Sequence, residues 1–342
     1  MITLKQIAAR AGTSVATVSL VLRGKPVRCS AATAENIRAI ARMFDYVPNR
    51  AAVSLVRQKT DTVGIVVPDI ENAFFAGLFK RLDGLFAADG YALLLCCADR
   101  AAARRRQIEL LRRRNVDAII LAVPFGEGEE DRAAVEELNA LGLPHIAADA
   151  CGAGLRCGRV EADHRRGGEL AADYLLGLGH ARIGCITGGE ALSSRLRLEG
   201  VRRALERSGR AADVAVLAGD YTFASGYACA RALFGRGVTA VFAFNDMMAY
   251  GVMKAAAEAG LRIPRDLSLV GYDDVPFSAM AAVPLTTVRQ PVGALAEHIH
   301  AELTAQLRGL RPAGNVLVGP ELVVRGSAAP PAAGKGVPAS RG

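Results

Sequence analysis

Apolar residues recur along the chain in two rhythms. Over the first 45 residues the spacing is helical. LKQIAARA (4–11) places Leu4, Ile7, Ala8 and Ala11 on one face. Gly12-Thr13 breaks that pattern, and Ser14 is a good N-cap for a second helix with Val18, Val21 and Leu22 on one side. After Gly24-Lys25-Pro26, Ser30 can cap a third helix, whose apolar face is Ile37, Ile40, Ala41 and Phe44. Pro48 ends regular packing. The stretch 49–57, NRAAVSLVR, is compatible with a helix but has little to bury against, so it reads as a conditional helix inside a linker.

From Thr62 the rhythm changes. Strand-length apolar runs at 62–70, 91–98, 117–123 and 144–150 alternate with amphipathic helical stretches. After about residue 160 the alternation resumes, with strands at 182–188, 213–220, 240–246 and 267–274. Such alternation predicts parallel sheets joined by right-handed crossovers, here as two similar α/β lobes. Ligands of such sheets bind at the carboxyl ends of strands, where Asp69, Asp149, Asn245-Asp246 and Asp273-Asp274 fall. The Ala/Pro/Gly-rich tail, 327–342, reads as disordered.

Charge adds a function to this outline. Residues 1–60 carry ten Lys and Arg against Glu35 and Asp45, a net of +8, which equals the formal charge of all 342 residues. A basic head on a neutral body suits a polyanion. A helix, a glycine-bearing turn and a second short helix make a helix-turn-helix, whose second helix enters the DNA major groove. Val15, Ala16 and Leu20 would then face base edges. Ser14, Thr17 and Ser19 would bond phosphates. An ordinary helical hairpin is the competing reading of this stretch, and the concentrated positive charge favours DNA.

Other totals exclude whole classes. There is no apolar run of membrane-spanning length, and Lys5, Gln6, Arg10 and Thr13 interrupt any signal-peptide core, so a cytoplasmic protein is expected. Seven cysteines include no C-x-x-C pair, and Cys96-Cys97 read as buried, reduced thiols. No phosphate-binding glycine loop, H-E-x-x-H or G-x-S-x-G occurs, so no enzyme activity, cofactor or metal is expected. His298 and His300 read as solvated, His180 as structural at a helix end. The arginine runs 104–106 and 112–114 read as a solvated helix face.

LKQIAARAGTSVATVSLVLRGK and YVPNRAAVSLVRQKTDTVGIVVPDI, followed in order by NAFF, LGHARIG, RLEGVRRAL, FNDMMAYGV, LSLVGYDD and PLTTVRQP, resemble the LacI family of bacterial transcription regulators. The likeness spans about residues 2 to 326. It implies a helix-turn-helix head (1–47), a hinge (48–60) and a periplasmic-binding-protein-like core (61–326) of two doubly wound parallel-sheet lobes. Lobe 1 would take about 61–160 and 291–319, lobe 2 about 161–290 and 320–326, with crossovers near 159–162, 289–292 and 318–321. The family binds palindromic double-stranded DNA operators as dimers and answers to small metabolites. The expected function is therefore a repressor of a carbohydrate-utilisation operon: a homodimer on nucleoid DNA with a sugar or sugar derivative as effector. A stand-alone sugar-binding or sugar-acting protein with an unrelated basic head is the alternative. The tail has no leucine heptads, so association beyond the dimer is not expected.

Residues follow from the same resemblance. Leu55 matches the family's minor-groove leucine, a wedge that kinks the operator centre. Asn49 joins the DNA-contacting set. Where the family commonly carries an arginine that can read guanine, this chain has Leu20, leaving only apolar contacts such as a thymine methyl. Arg23 or Lys25 would supply a lost contact. Val53, His164 and Ala73 are further departures, from a basic residue, an asparagine and a proline respectively. In the effector cleft, Arg197 is a forked donor, Asp273 accepts hydroxyls and Asn245 does both. Ser193, Asp149 and Asp69 are lesser contacts. Phe74 and Tyr221 offer flat apolar faces at positions where the family contacts effector. Asp246 is set aside as the cap of the helix that follows it.

Overall fold

The computed structural model describes residues 2–46, 59–125, 128–140, 142–149, 154–209, 213–311 and 314–332. The hinge through residue 58, with Asn49, Val53 and Leu55, and the tail beyond Ala332 lie outside these. The chain divides into two units, 1–60 and 61–342.

Unit 1 holds α1 (Leu4–Ala11), α2 (Val15–Leu22) and α3 (Ala31–Met43). The starts of α2 and α3 are capped as the sequence predicts, and that of α1 is capped by Thr3. Thr3 and Gln6 form a reciprocal capping box, and the Ser14 and Ser30 hydroxyls accept from the amides of Thr17 and Thr33. Gly12 ends α1 in the left-handed region at φ 62°, where a side chain would be strained. Ile7, Val18, Val21 and Ile37 close a small core. Phe44 lies past the end of α3 and is half covered, with the Arg10 guanidinium 4.3 Å above its ring.

Unit 2 has two six-stranded sheets among its described residues. The first orders β1 (Thr62–Val67), β2 (Ala92–Cys97), β3 (Ala118–Leu121), β4 (His145–Ala148), β5 (Gly158–Ala162) and β11 (Asn315–Val318) as β11-β5-β4-β3-β1-β2, all parallel. The second orders β6 (Arg182–Thr187), β7 (Asp213–Ala218), β8 (Ala240–Ala243), β9 (Ser268–Asp273), β10 (Thr286–Arg289) and β12 (Glu321–Val323) as β12-β10-β9-β8-β6-β7. Here only β12 is antiparallel, with Leu322 opposite Val288. Period-two alternation sends β1 side chains to opposite faces. Ile65 and Val67 join Leu82, Phe86 and Ile299 under α4 (Ala73–Ala88) and α12 (Val292–Leu307). Val66 joins Ile108, Leu111 and Leu138 under α5 (Ala101–Arg113) and α6 (Glu129–Ala140). Covered on both faces, such strands read as continuous apolar runs.

The second sheet is packed by α7 (His164–Gly177), α8 (Leu192–Ser208), α9 (Phe223–Phe234) and α10 (Asp246–Glu258) around Ile186, Phe242 and Val270. The chain passes between lobes at Asp163, at Gln290-Pro291 and at Gly319-Pro320. Glycines let α7 and α8 touch backbone to backbone. A Cβ at Gly200 would run into the Arg165 carbonyl, and one at Gly168 into the Arg197 carbonyl. That contact fixes His164 and Arg197 on facing helices. Gly200→Ala is expected to cost about 2 kcal/mol or more, since packed backbone cannot yield as a side chain can. Gly177→Ala, which meets nothing within 4 Å, is the control and should leave stability unchanged or raised. Urea unfolding of the two variants checks this.

Several expectations fail. The tail does not begin at Ser327: the Ser327 hydroxyl accepts from Thr286 N (2.8 Å) and donates to Leu269 O (2.5 Å). His180 Nε2 holds Ala329 O at 3.0 Å, so the composition of 327–332 conceals backbone pairing. Arg104 is no solvated arginine. It is buried in a bidentate pair with Asp131 at 2.6–2.7 Å, joining α5 to α6. Cys96 is buried but Cys97, on the opposite side of β2, is exposed. His300 is partly buried, edge-on to Phe86 and 2.9 Å from Asp89.

Candidate functional site

In unit 1 the exposed face of α2 is unusual for the polar groups it does not offer. Ser14 Oγ is engaged with both Thr17 N (3.1 Å) and Thr17 Oγ1 (2.9 Å). Arg23, expected as a spare DNA contact, folds back on Ser19, with Nε 2.9 Å from its carbonyl and Nη2 2.6 Å from its hydroxyl. Val15 is 43% exposed, Ala16 is exposed and Leu20 is half-buried outside the head core. Val15, Ala16 and Leu20 thus make an apolar strip beside the exposed Ser14 and Arg23, whose polar groups are engaged locally.

In unit 2 one cleft of about 870 Å³ opens between the lobes, at the carboxyl ends of both sheets. All eight residues expected to bind effector line it, drawn from segments up to 204 residues apart, Asp69 to Asp273. Three of them, Asp149, Tyr221 and Asp273, follow or end strands in left-handed backbone, at φ 62°, 70° and 112°. Non-glycine residues hold such angles only where their surroundings enforce them, as at ligand sites.

Arg197 is the centre of the second lobe's wall. It is 3% exposed, its guanidinium carbon lies 3.6 Å over the Tyr272 ring, and Nη1 donates to the Phe244 carbonyl. Nε and Nη2 both approach His164 Nδ1 at 3.3 Å. His164 Nε2 lies 2.6 Å from Asp149 Oδ1, a bond from α7 of lobe 2 to the end of β4 in lobe 1. Burial holds this imidazole below its ordinary pKa, against the pull of Asp149. A neutral ring with its proton on Nε2 satisfies both sides, an assignment inferred from these partners. Sequence reading marked His164 as a departure but did not foresee its bond to Asp149 across the lobes.

Asp273 accepts from Gln290 Nε2 at 2.7 Å, and burial pushes its carboxyl up to about 8 despite Arg197 nearby. Its neighbour Asp274 takes Arg289 Nε on one oxygen and Arg325 Nη2 on the other, both at 2.6 Å. Asn245, and not Asp246, caps α10, its Oδ1 accepting from Met248 N at 2.9 Å while Nδ2 donates to Tyr221 O. Asp246 is fully buried under Ser278, Thr287 and Val275 N, and burial raises its carboxyl to about 6. The helix-cap expectation is thus corrected by one residue. Ser193 Oγ and Tyr221 OH are 3.0 Å apart. Asp69 is exposed, with one oxygen taken by Glu71 N. Phe74 lines the cleft yet is 3% exposed and packed on Phe75, so core packing claims most of it. Gln290, Asp220 and Phe223 also line the cleft and were missed. Gln290 lies in the quoted motif PLTTVRQP and Asp220 precedes the expected contact Tyr221, which were the available signals.

Residues 3–49 match the model of bacterial regulatory proteins of the lacI family, and residues 172–328 match a periplasmic binding protein-like domain. The HTH-type transcriptional regulator DegA of Bacillus subtilis is 33% identical over 333 residues, covering 96% of this chain and 98% of its own. The lac repressor dimer bound to operator and the anti-inducer ONPF aligns with a TM-score of 0.86 at 27% identity, over 96% of this chain and 99% of that one. A LacI family regulator from Enterococcus faecium with bound ribose aligns at 0.71 and 28% identity, over 79% of this chain and 99% of that one. Head and cleft thus define a helix-turn-helix transcriptional regulator with a two-lobed ligand-binding core. The chain belongs to the LacI family. No described helix is long and apolar enough to cross a membrane.

Proposed function

We propose that the chain acts as a homodimeric repressor, each head binding half of a palindromic operator, with a sugar-like effector in the interlobe cleft setting DNA affinity. The carrying observation is the cleft itself, where both lobes deliver polar strand-end residues to one cavity flanked by three crossovers. Relatives lend support: the lac repressor is seen as a dimer on its operator and the Enterococcus faecium regulator with ribose. Lobe rotation about the crossovers would change hinge spacing, and a coupling of about 1–3 kcal/mol suffices to switch occupancy. Leu55 is the proposed minor-groove wedge, and Ser14, Thr17 and Ser19 the phosphate-facing side of α2. The protein is taken to work in the cytoplasm on nucleoid DNA and to catalyse no reaction.

The test pairs duplex selection from random DNA with a sugar screen by thermal shift. Arg197→Ala is expected to weaken effector binding by about 100-fold, since it removes the buried guanidinium that ties Phe244 O, His164 and the Tyr272 ring together in the cleft wall. The variant's DNA affinity without effector should stay within about threefold, as anisotropy would report. Equal effector affinity in both proteins would refute this assignment of the cleft.

A further inference from the structure

The cleft is lopsided in charge and in hydrogen-bonding sense. Its walls carry five carboxylates, on Asp69, Glu71, Asp99, Asp149 and Asp220, and the buried Asp273 carboxyl, which stays protonated up to about 8, against one cation, Arg197. That cation already serves the protein: Phe244 O, His164 Nδ1 and the Tyr272 ring take three of its N–H groups and one of its faces. The other donors are similarly engaged. Asn245 Nδ2 reaches Tyr221 O at 2.8 Å, and the Ser193 and Tyr221 hydroxyls bond each other.

Acceptors are in surplus. Gln290 lines the cleft, is 3% exposed, and turns its amide nitrogen to Asp273. Its Oε1 is thereby left buried with no partner among the described residues. An orphaned buried acceptor is costly until something donates to it. Asp220 spends Oδ1 on Thr222 N (3.0 Å) and Oγ1 (2.6 Å), and the hydroxyls of Ser225, first, and Thr222 hold its carboxyl below the usual range and ionised. Tyr221 and the 41% exposed Phe223 add aromatic faces to the same wall, and such faces attract ammonium groups.

A ligand entering this cleft must bring protons and must not bring negative charge. We propose that the effector is a polyhydroxylated amine, such as an amino sugar, whose ammonium lies among the carboxylates, and that phosphorylated and carboxylated analogues are refused. The inference rests on the reading of this cleft as the effector site. Like charge facing like charge in a confined cleft is a strong device for rejecting the wrong ligand.

The full chain is titrated with matched sets on glucose, galactose and mannose: the parent sugar, its 2-amino derivative, its 6-phosphate and its uronic acid. Thermal shift finds the binding stereochemistry, and calorimetry ranks its set. The amine is expected to bind at least about tenfold tighter than its parent, a gap that shrinks as salt screens the carboxylates. Asp99→Asn should narrow that gap. Equal or tighter binding of a parent, phosphate or acid overturns the amine inference and leaves the effector reading standing. Silence from every set, with operator binding intact, removes both.

Discussion

Replacing the thymines under the recognition helix by uracil is expected to weaken operator binding severalfold per half-site, although no hydrogen bond is lost. The apolar side chains that α2 presents are the exposed Val15 and Ala16 and the half-buried Leu20, while Ser14, Thr17, Ser19 and Arg23 are engaged with one another or with nearby backbone. Only the thymine C5-methyl offers an apolar feature in the major groove. Burying one methyl is worth about 0.8 kcal/mol, or about fourfold, and a palindrome repeats the contact. Removing two methyls should therefore cost about 15-fold. Leu20→Arg restores a forked donor at that position. It should shift selection toward guanine by about 1–3 kcal/mol per contact and reduce the uracil penalty. Anisotropy titrations of the selected duplex, its uracil form and the variant's own selected duplex measure both effects. Identical affinity for the thymine and uracil duplexes would sink the apolar reading.

The second large effect is on stability against pH. Asp273 ionises near 3.8 when unfolded and only near about 8 when folded, because burial disfavours the charge. A raised folded pKa gives stability that is fully present below 3.8 and drains away as pH climbs to about 8. The slope approaches about 1.4 kcal/mol per pH unit inside that window, for a total of order several kcal/mol. Asp246 adds a second loss, confined between 3.8 and about 6. Above pH 6, then, Asp273 should dominate. Urea unfolding of the wild type is expected to show falling stability from pH 6 to pH 8, and Asp273→Asn to flatten it. Parallel curves for the two proteins would show that the carboxyl is ionised throughout.

Most strands that sequence reading found, such as TVGIVV (62–67) and SLVGYD (268–273), are buried on both faces, while the edge strands ALLLCC (92–97) and DVAVLA (213–218) were found by their apolar runs alone. Four escaped the hydrophobic pattern. GRVEA (158–162) alternates buried and half-buried positions with Arg159 and Glu161 between them. TTVR (286–289) buries two threonines whose hydroxyls are bonded to Arg325 N and Asp246. NVLV and ELV are short strands at sheet edges. The site residues were legible because strand ends in such sheets face the ligand. Their partners were not. The choice between Asn245 and Asp246 as the cap turns on Ser278 and Thr287, 32 and 41 residues beyond Asp246. Gln290 gains its meaning only from lying against Asp273. Arg104 looked solvated because its burial comes from Asp131 on another helix.

The two oxygens of Asp274 have a mechanical consequence. One is held by Arg289, the last residue before the Gln290-Pro291 passage. The other is held by Arg325, just beyond the strand that follows Gly319-Pro320. The residue next to Asp273 is thus yoked to two of the three straps joining the lobes. A displacement at the cleft floor would pull on both straps at once, giving the core a short, stiff linkage from the cleft to the passages between its lobes with no relay in between.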